Sequence, residues 1–257
     1  MSRRIFVPQI KKIDSVETLV QLVKSIKGPF YFRGQPVVTL SLKPTIGRTG
    51  YWFNDAKRDK PFTLEDEKNL LHRFKRYAYE FGEKILEDWG AISLARHHGV
   101  PVRLLDWTSN PLVALYWAAK KQREDDPLAK EDGVIWGFKP RIRGDIIDVT
   151  KKPNTHPFSV KGIRIVYPLF LPRLNAQSAF FTIHEDPYFD LENLKDNKYP
   201  KKHNDMTEGK KWLVCSKKKK EIVETLHRLG INERTLFPGL DGIGRDILNK
   251  ELMFPIR

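Results

Sequence analysis

The chain is poor in cysteine, and its single Cys215 excludes both a disulfide framework and a cysteine-ligated zinc site. No apolar run approaches the ~20 residues needed to cross a bilayer, and the basic start Met1-Ser2-Arg3-Arg4 has no long apolar stretch behind it. No membrane partner and no secretory leader are therefore expected, and a reducing cytoplasm is the expected setting. The glycine fingerprints of nucleotide folds are missing as well. There is no phosphate loop ending in Gly-Lys-Ser/Thr and no Gly-x-Gly-x-x-Gly. A serine elbow is lacking, so covalent hydrolase chemistry has no support. His97 and His98 are adjacent and diverge on a helix by ~100°, and no carboxylate-histidine motif surrounds them, so no metal is expected.

What is abundant is positive charge. Forty-six Lys+Arg against 32 Asp+Glu give a formal net charge of +14. A field of that size attracts polyanions, and nucleic acid, RNA ahead of DNA, is the expected partner. Hydrophobic residues at 40% and charged residues at 30% of 257 positions are a globular balance. With no internal repeat and no clear linker, one domain over 1–257 is expected.

Apolar spacing predicts helices over 14–27, 63–86, 87–98 and 111–119. Asp14 or Ser15 caps the first, whose apolar face is Val16, Leu19, Val20, Val23 and Ile26. Thr63 with Asp66 opens the second, with Leu64, Leu70, Leu71, Phe74, Tyr77, Ala78, Phe81 and Ile85 on one face. Gly99 stops the third. The fourth is capped by Ser109 or Asn110, has Pro111 in its first turn, and is apolar all round, so it must be buried. Phe30-Tyr31-Phe32 reads as a short strand broken by Gly34, 43–62 as a loop, and 102–105 as a short buried strand. The second half reads mainly as β, with strands over 134–138, 146–149, 163–167, 180–184 and 212–214. Residues 186–211 look like a polar, basic insertion, and a last helix covers 221–229. Phe237-Pro238-Gly239-Leu240-Asp241-Gly242 reads as a turn. Lys217 to Lys220 is either a solvated face or a phosphate-contacting patch.

Two segments concentrate chemistry. Arg33 sits beside Gly34 at the end of an aromatic strand, where a guanidinium forks onto phosphate and a glycine admits a ligand close to the backbone. Arg103, Asp106, Thr108, Ser109 and Asn110 lie between a buried strand and a buried helix. Polar groups in so apolar a frame are paired or serve a ligand.

Phe32-Arg33-Gly34, the block from His97-His98-Gly99 to Asp106-Trp107-Thr108, and Asn110 to Tyr116 resemble the FRG-domain family, named for its Phe-Arg-Gly tripeptide. Arg173 to Ile183 and Thr235-Leu236-Phe237-Pro238 resemble it too, so the likeness covers roughly 15–250. A weaker similarity is to ADP-ribosyltransferases, which carry an Arg or His on a first strand, a Ser/Thr strand running into a helix, and an acid or Gln on a later strand. Arg33, Thr108-Ser109 and Gln177 stand in those places.

The resemblance implies an α+β fold with an ADP-ribosyltransferase-like mixed sheet behind N-terminal helices, with NAD as co-substrate. It also implies a toxin or phage-defence role, with an antitoxin or regulatory protein as a further partner. Arg33 and Gly34 would meet an NAD phosphate. Thr108 or Ser109 would position the nicotinamide-side ribose, with Asn110 also in the cofactor site, Tyr116 or Trp117 would support or stack on the ring, and His98 would line the cleft. Gln177 replaces the commoner glutamate and takes no proton, which leaves Asp106, His98, His184 or Glu185 to activate an acceptor, or an acceptor that needs no base. A nucleic-acid-binding module without chemistry, or a metal-independent nuclease using His98 and Asp106, are the rival readings.

Overall fold

Alternating apolar positions on short β-rich runs build one mixed sheet. Its strands are β1 (Phe6–Pro8), β2 (Tyr31–Gln35), β3 (Leu104–Thr108), β4 (Gly133–Pro140), β5 (Ile147–Asp148), β6 (Ile163–Tyr167), β7 (Ala179–His184) and β8 (Met206–Val214). The computed structural model describes residues 3–48, 61–82, 87–120, 130–141, 146–151, 154–168, 171–195 and 197–253. The strand order is β1-β8-β4-β2-β3-β7-β6-β5. The pairs β1–β8 and β5–β6 are parallel and the rest antiparallel. The helices are α1 (Val16–Lys24), α2 (Leu64–Glu80), α3 (Asp88–His97), α4 (Pro111–Ala119), α5 (Pro172–Ala176), α6 (Lys219–Arg228), α7 (Glu233–Leu236) and α8 (Leu240–Met253). The mixed α+β architecture expected from the sequence is the one found.

Both sheet faces are covered, which is why the central strands read as near-continuous apolar runs. On one face α1, α4 and α6 bury Val16, Leu19, Phe32, Leu115, Ile135, Trp212 and Ile222 together. On the other, Trp107, Trp136, Phe138 and Phe180 pack with Leu191, Leu194 and Met206. A third cluster joins Trp89, Ile92 and Ala95 of α3 to Leu104, Phe181 and Ile183. None of the described helices is long and apolar enough to cross a membrane.

The structure corrects several boundaries. Gly34 does not break its strand. It pairs with Ile135 inside β2, and a Cβ there would stand 1.9 Å from the Ala114 carbonyl oxygen. The glycine lets α4 lie directly on the sheet. Strand β3 runs to Thr108, beyond the expected 102–105, because its whole length pairs with β7. Asn110, not Ser109, caps α4 by accepting from the Leu112 amide. Ser15 caps α1, and Val20 falls on its exposed side. Thr63 and Asp66 form the expected reciprocal cap of α2, yet Leu64, Tyr77 and Phe81 are exposed. Only Glu67 and Leu71 of that helix are buried, so its apolar spacing overstates its packing. Ile85 and 49–60 lie outside the described residues.

Three segments of the second half differ from the expectation. The expected insertion 186–211 buries Leu191, Leu194 and Met206 and enters the long strand β8. The expected turn at 237–242 leads from α7 into α8. Within the lysine run, Lys219 is buried and donates to the carbonyls of Pro36 and Glu131 at 2.5 and 2.7 Å.

Candidate anion-binding site

Strands β2 and β3 meet at one registered pair, Phe32 with Thr108. Residues on either side of that junction line a cavity of about 630 Å³, a size typical of small-ligand sites. Its walls come from Phe32 to Pro36 of β2 and the turn after it, Asp106 to Thr108 of β3, and the C-terminal end of α3 through Gly99. Val113 and Trp117 of α4 and the segment around α5 complete them. Gly99, at φ +84°, ends α3 in the left-handed conformation that glycine adopts without penalty, and so sets where His97 and His98 lie.

The charge of this wall is lopsided. Four guanidinium groups, Arg33, Arg48, Arg96 and Arg173, face one carboxylate, Asp106, among the described lining residues. Arg96 holds Asp106 through Nε at 3.1 and 3.2 Å to its two oxygens and through a further Nη2 contact. Arg33 donates from Nη1 to the Asp106 main-chain carbonyl at 2.8 Å and lies 3.5 Å from its carboxylate. Burial works against the Asp106 charge, but Arg96 and Arg33 outweigh it and hold the carboxyl below the ordinary carboxylate range. Arg33 is pushed down to about 9 by burial first and by Arg48 next, and its Nε is buried without a partner among the described residues. His97 falls to about 4 through burial and the charge of Arg173, so its imidazole is neutral near pH 7. A cavity in this state is short of negative charge. An anion ~4 Å from one such group gains about 4 kcal/mol at an effective dielectric of ~20.

Of the residues expected at the site, Arg33, Gly34, His98, Asp106, Thr108 and Gln177 line the cavity. The Thr108 hydroxyl donates to the Gln177 main-chain carbonyl at 2.7 Å and accepts from the Asn110 amide at 3.0 Å, tying β3, α4 and the α5–β7 turn together. Gln177 donates its side-chain amide to the Leu236 carbonyl at 3.0 Å. The turn after it passes through Ser178 at φ +46°, the sole non-glycine positive φ among the described residues. Such a backbone state is uncommon away from glycine.

Three expected ligand groups are not among the lining residues. Ser109 is exposed and its amide bonds the Ser178 carbonyl, and Asn110 is committed to capping. Tyr116 is buried with its hydroxyl 2.6 Å from Glu233, because α4 turns that face toward α7. Arg103 is also elsewhere, just before β3, clamped by Glu67 of α2 at 2.8 Å. His184, a proposed base, is fully buried at the end of a chain from Trp107 Nε1 through Thr182 Oγ1. Burial takes it to about 3. Glu185 binds Lys161 and the Gly162 amide.

Sequence reasoning missed Arg48, Arg96 and Arg173. Arg96 had a signal: it is a cation in the otherwise apolar run Ala91-Ile92-Ser93-Leu94-Ala95. Arg48 lay in a stretch read as loop, although Ile46 and Gly47 beside it are buried. No group of three His, Cys, Asp or Glu side chains suited to a metal occurs among the described residues.

Residues 28–127 of the 257 match the family model of the FRG domain, and this stretch is similar to that family. The matched stretch contains Arg33, Arg48, Arg96 and Asp106, whereas Arg173 and Gln177 come from beyond it. No curated protein and no solved structure matches the chain.

Proposed function

We propose that this cavity binds NAD and that the protein is an NAD-dependent mono-ADP-ribosyltransferase acting on nucleic acid, with RNA as the favoured acceptor. One observation carries the reading. Arg33, Thr108 and Gln177, separated by long stretches of chain, stand on or beside neighbouring strands and line the same cavity. The guanidinium excess supports a ligand rich in phosphate, and Phe32, Trp107 and Trp117 give apolar wall for a base ring.

In the reaction the bond between ribose C1′ and the nicotinamide nitrogen breaks, and its electron pair leaves with neutral nicotinamide. The acceptor forms a bond to C1′ and gives up its proton. Positive charge develops on the sugar, so groups that hold it in place matter most. The Gln177 carboxamide oxygen is available to accept from a ribose hydroxyl while its nitrogen is held by Leu236. Asp106 is too well paired to act as a base. Exposed His98 at the rim is the group suited to receive the acceptor's proton. Net charge supports the polyanionic acceptor.

The test is incubation of the full chain with NAD labelled in its ADP-ribose part, together with RNA, DNA or protein. The expected result is nicotinamide release with label on RNA, falling steeply as salt rises. Folded Arg33→Lys and Gln177→Ala variants should lose it. Strand cleavage without NAD would instead mark a nuclease, and NAD binding with no release a module without chemistry. A toxin role held in check by a regulatory protein is part of the same proposal, and follows if expression of the active chain arrests growth but the Gln177→Ala variant does not.

A further inference from the structure

We propose that Arg173 is the residue that grips the ligand's phosphate, and that the ligand of this cavity is a nucleotide carrying a diphosphate. The inference deepens the reading of the cavity as the ligand site, but needs no transfer chemistry.

The three other guanidinium groups of the cavity are already engaged. Arg96 and Arg33 are bound to Asp106, and Arg48 donates to the Lys43 carbonyl at 3.1 Å. Arg173 differs. It is half-buried in the first turn of α5 and makes no side-chain hydrogen bond or ion pair with a described residue. Among the described residues its one side-chain contact of this kind is the Phe237 ring, 4.5 Å from the guanidinium carbon. Two more cations lie over the same ring, Arg245 at 5.0 Å and Lys120 at 5.5 Å, and both are ion-paired with Glu233 at 3.0 and 2.8 Å. The fold therefore pairs the structural cations around Phe237 and leaves Arg173 for something it lacks. A planar guanidinium braced on an aromatic face keeps all its N–H groups for a bidentate acceptor.

Carboxylate and phosphate both fit such a fork. The number of cations decides between them, since a single carboxylate leaves most of the cavity's charge unbalanced and a diphosphate does not. Trp117, in the same wall and 5.7 Å from Phe237, offers an aromatic edge for a base. Phe237 is then a positioning residue, acting through the orientation of Arg173.

Calorimetric titration of ADP and of adenosine into the full chain tests this. ADP should bind about tenfold or more tighter than adenosine. Arg173→Ala should lose about tenfold or more for ADP while leaving adenosine and the melting temperature unchanged, and Arg173→Lys should fall between, because a point charge replaces the fork. Phe237→Leu should weaken ADP by a few-fold and be without further effect in the Arg173→Ala background, which a merely structural role would not give. Lys218→Ala, on the exposed Glu221 pair, should change nothing. Equal binding of ADP and adenosine, no ADP binding at all, or full ADP affinity in folded Arg173→Ala each overturns the proposal. If ADP binds through Arg173 but NAD is never consumed, the transferase reading falls and this one stands. Undiminished NAD transfer in Arg173→Ala has the opposite meaning.

Discussion

Two clusters of charge in this protein are built to opposite rules. Glu67 of α2 and Arg103, just before β3, form a matched pair, their side chains 1% and 6% exposed. The carboxylate accepts from the Arg103 amide at 2.8 Å and from its Nε at 2.9 Å. Nη2 also contacts that carboxylate at 2.8 Å, and Nη1 faces the His184 and Glu185 carbonyls. Each of the three guanidinium nitrogens has an oxygen within 3.4 Å. In the cavity, among the described residues, one carboxylate serves several guanidiniums, Arg33 Nε is left over, and Arg173 has only an aromatic ring. A buried charge is tolerated when paired and hydrogen-bonded. The first cluster meets that condition internally, and the second meets it only when an anion arrives.

The comparison is sharpest when each cluster loses its acid. Glu67→Ala strands Arg103 in the interior and should cost about 3–5 kcal/mol in denaturant unfolding. No added anion should restore it, because the site is filled by protein. Asp106→Asn should cost less, about 1–3 kcal/mol, since about a third of that side chain is exposed and solvent screens it. Here pyrophosphate should recover much of the loss. If pyrophosphate rescues both variants equally, or neither, the distinction between the clusters is wrong.

A smaller effect separates the clusters by pH. His97 in the cavity wall and His184 beside the Arg103 clamp are held neutral, at about 4 and about 3. Their folded values lie below the ordinary imidazole value near ~6.5, so below that pH the unfolded chain binds more protons than the folded one. Stability should be level above ~6.5 and fall as pH drops toward 3. Melting curves between pH 7.5 and 4.5 should show this fall, flattened in His184→Gln. Bound pyrophosphate should raise the His97 value, because it offsets the charge of Arg173. A ring-proton titration by NMR that finds His97 unmoved by pyrophosphate would separate it from the anion site.

Much of the fold was legible because pattern and packing agreed. The apolar helix at 111–119, the reciprocal cap at Thr63 and Asp66, the Gly99 stop and the strand at 163–167 each have a local cause. Arg33, Asp106 and Thr108 were legible as polar residues in an apolar frame. What failed was tertiary. Gly34 reads as a breaker until α4 is seen lying on it, and Tyr116 reads as a ring-stacking residue until α4 is rotated toward Glu233. Lysine and arginine spread over 186–211 masked the spacing of Leu191, Leu194 and Met206. Arg173 lacked any local signature, because its role depends on α3 and α5 meeting across the cavity, and the one local sign of Arg96 was its charge after an apolar run.

The most direct measurement is the thermal midpoint of the full chain at pH 7 in sodium pyrophosphate against sodium chloride of equal ionic strength. An under-neutralised cavity predicts a clear rise in pyrophosphate that saturates with concentration, as one-site binding to the folded state requires. Identical midpoints in the two salts would mean that the cavity's guanidiniums are already balanced and that no anion belongs there.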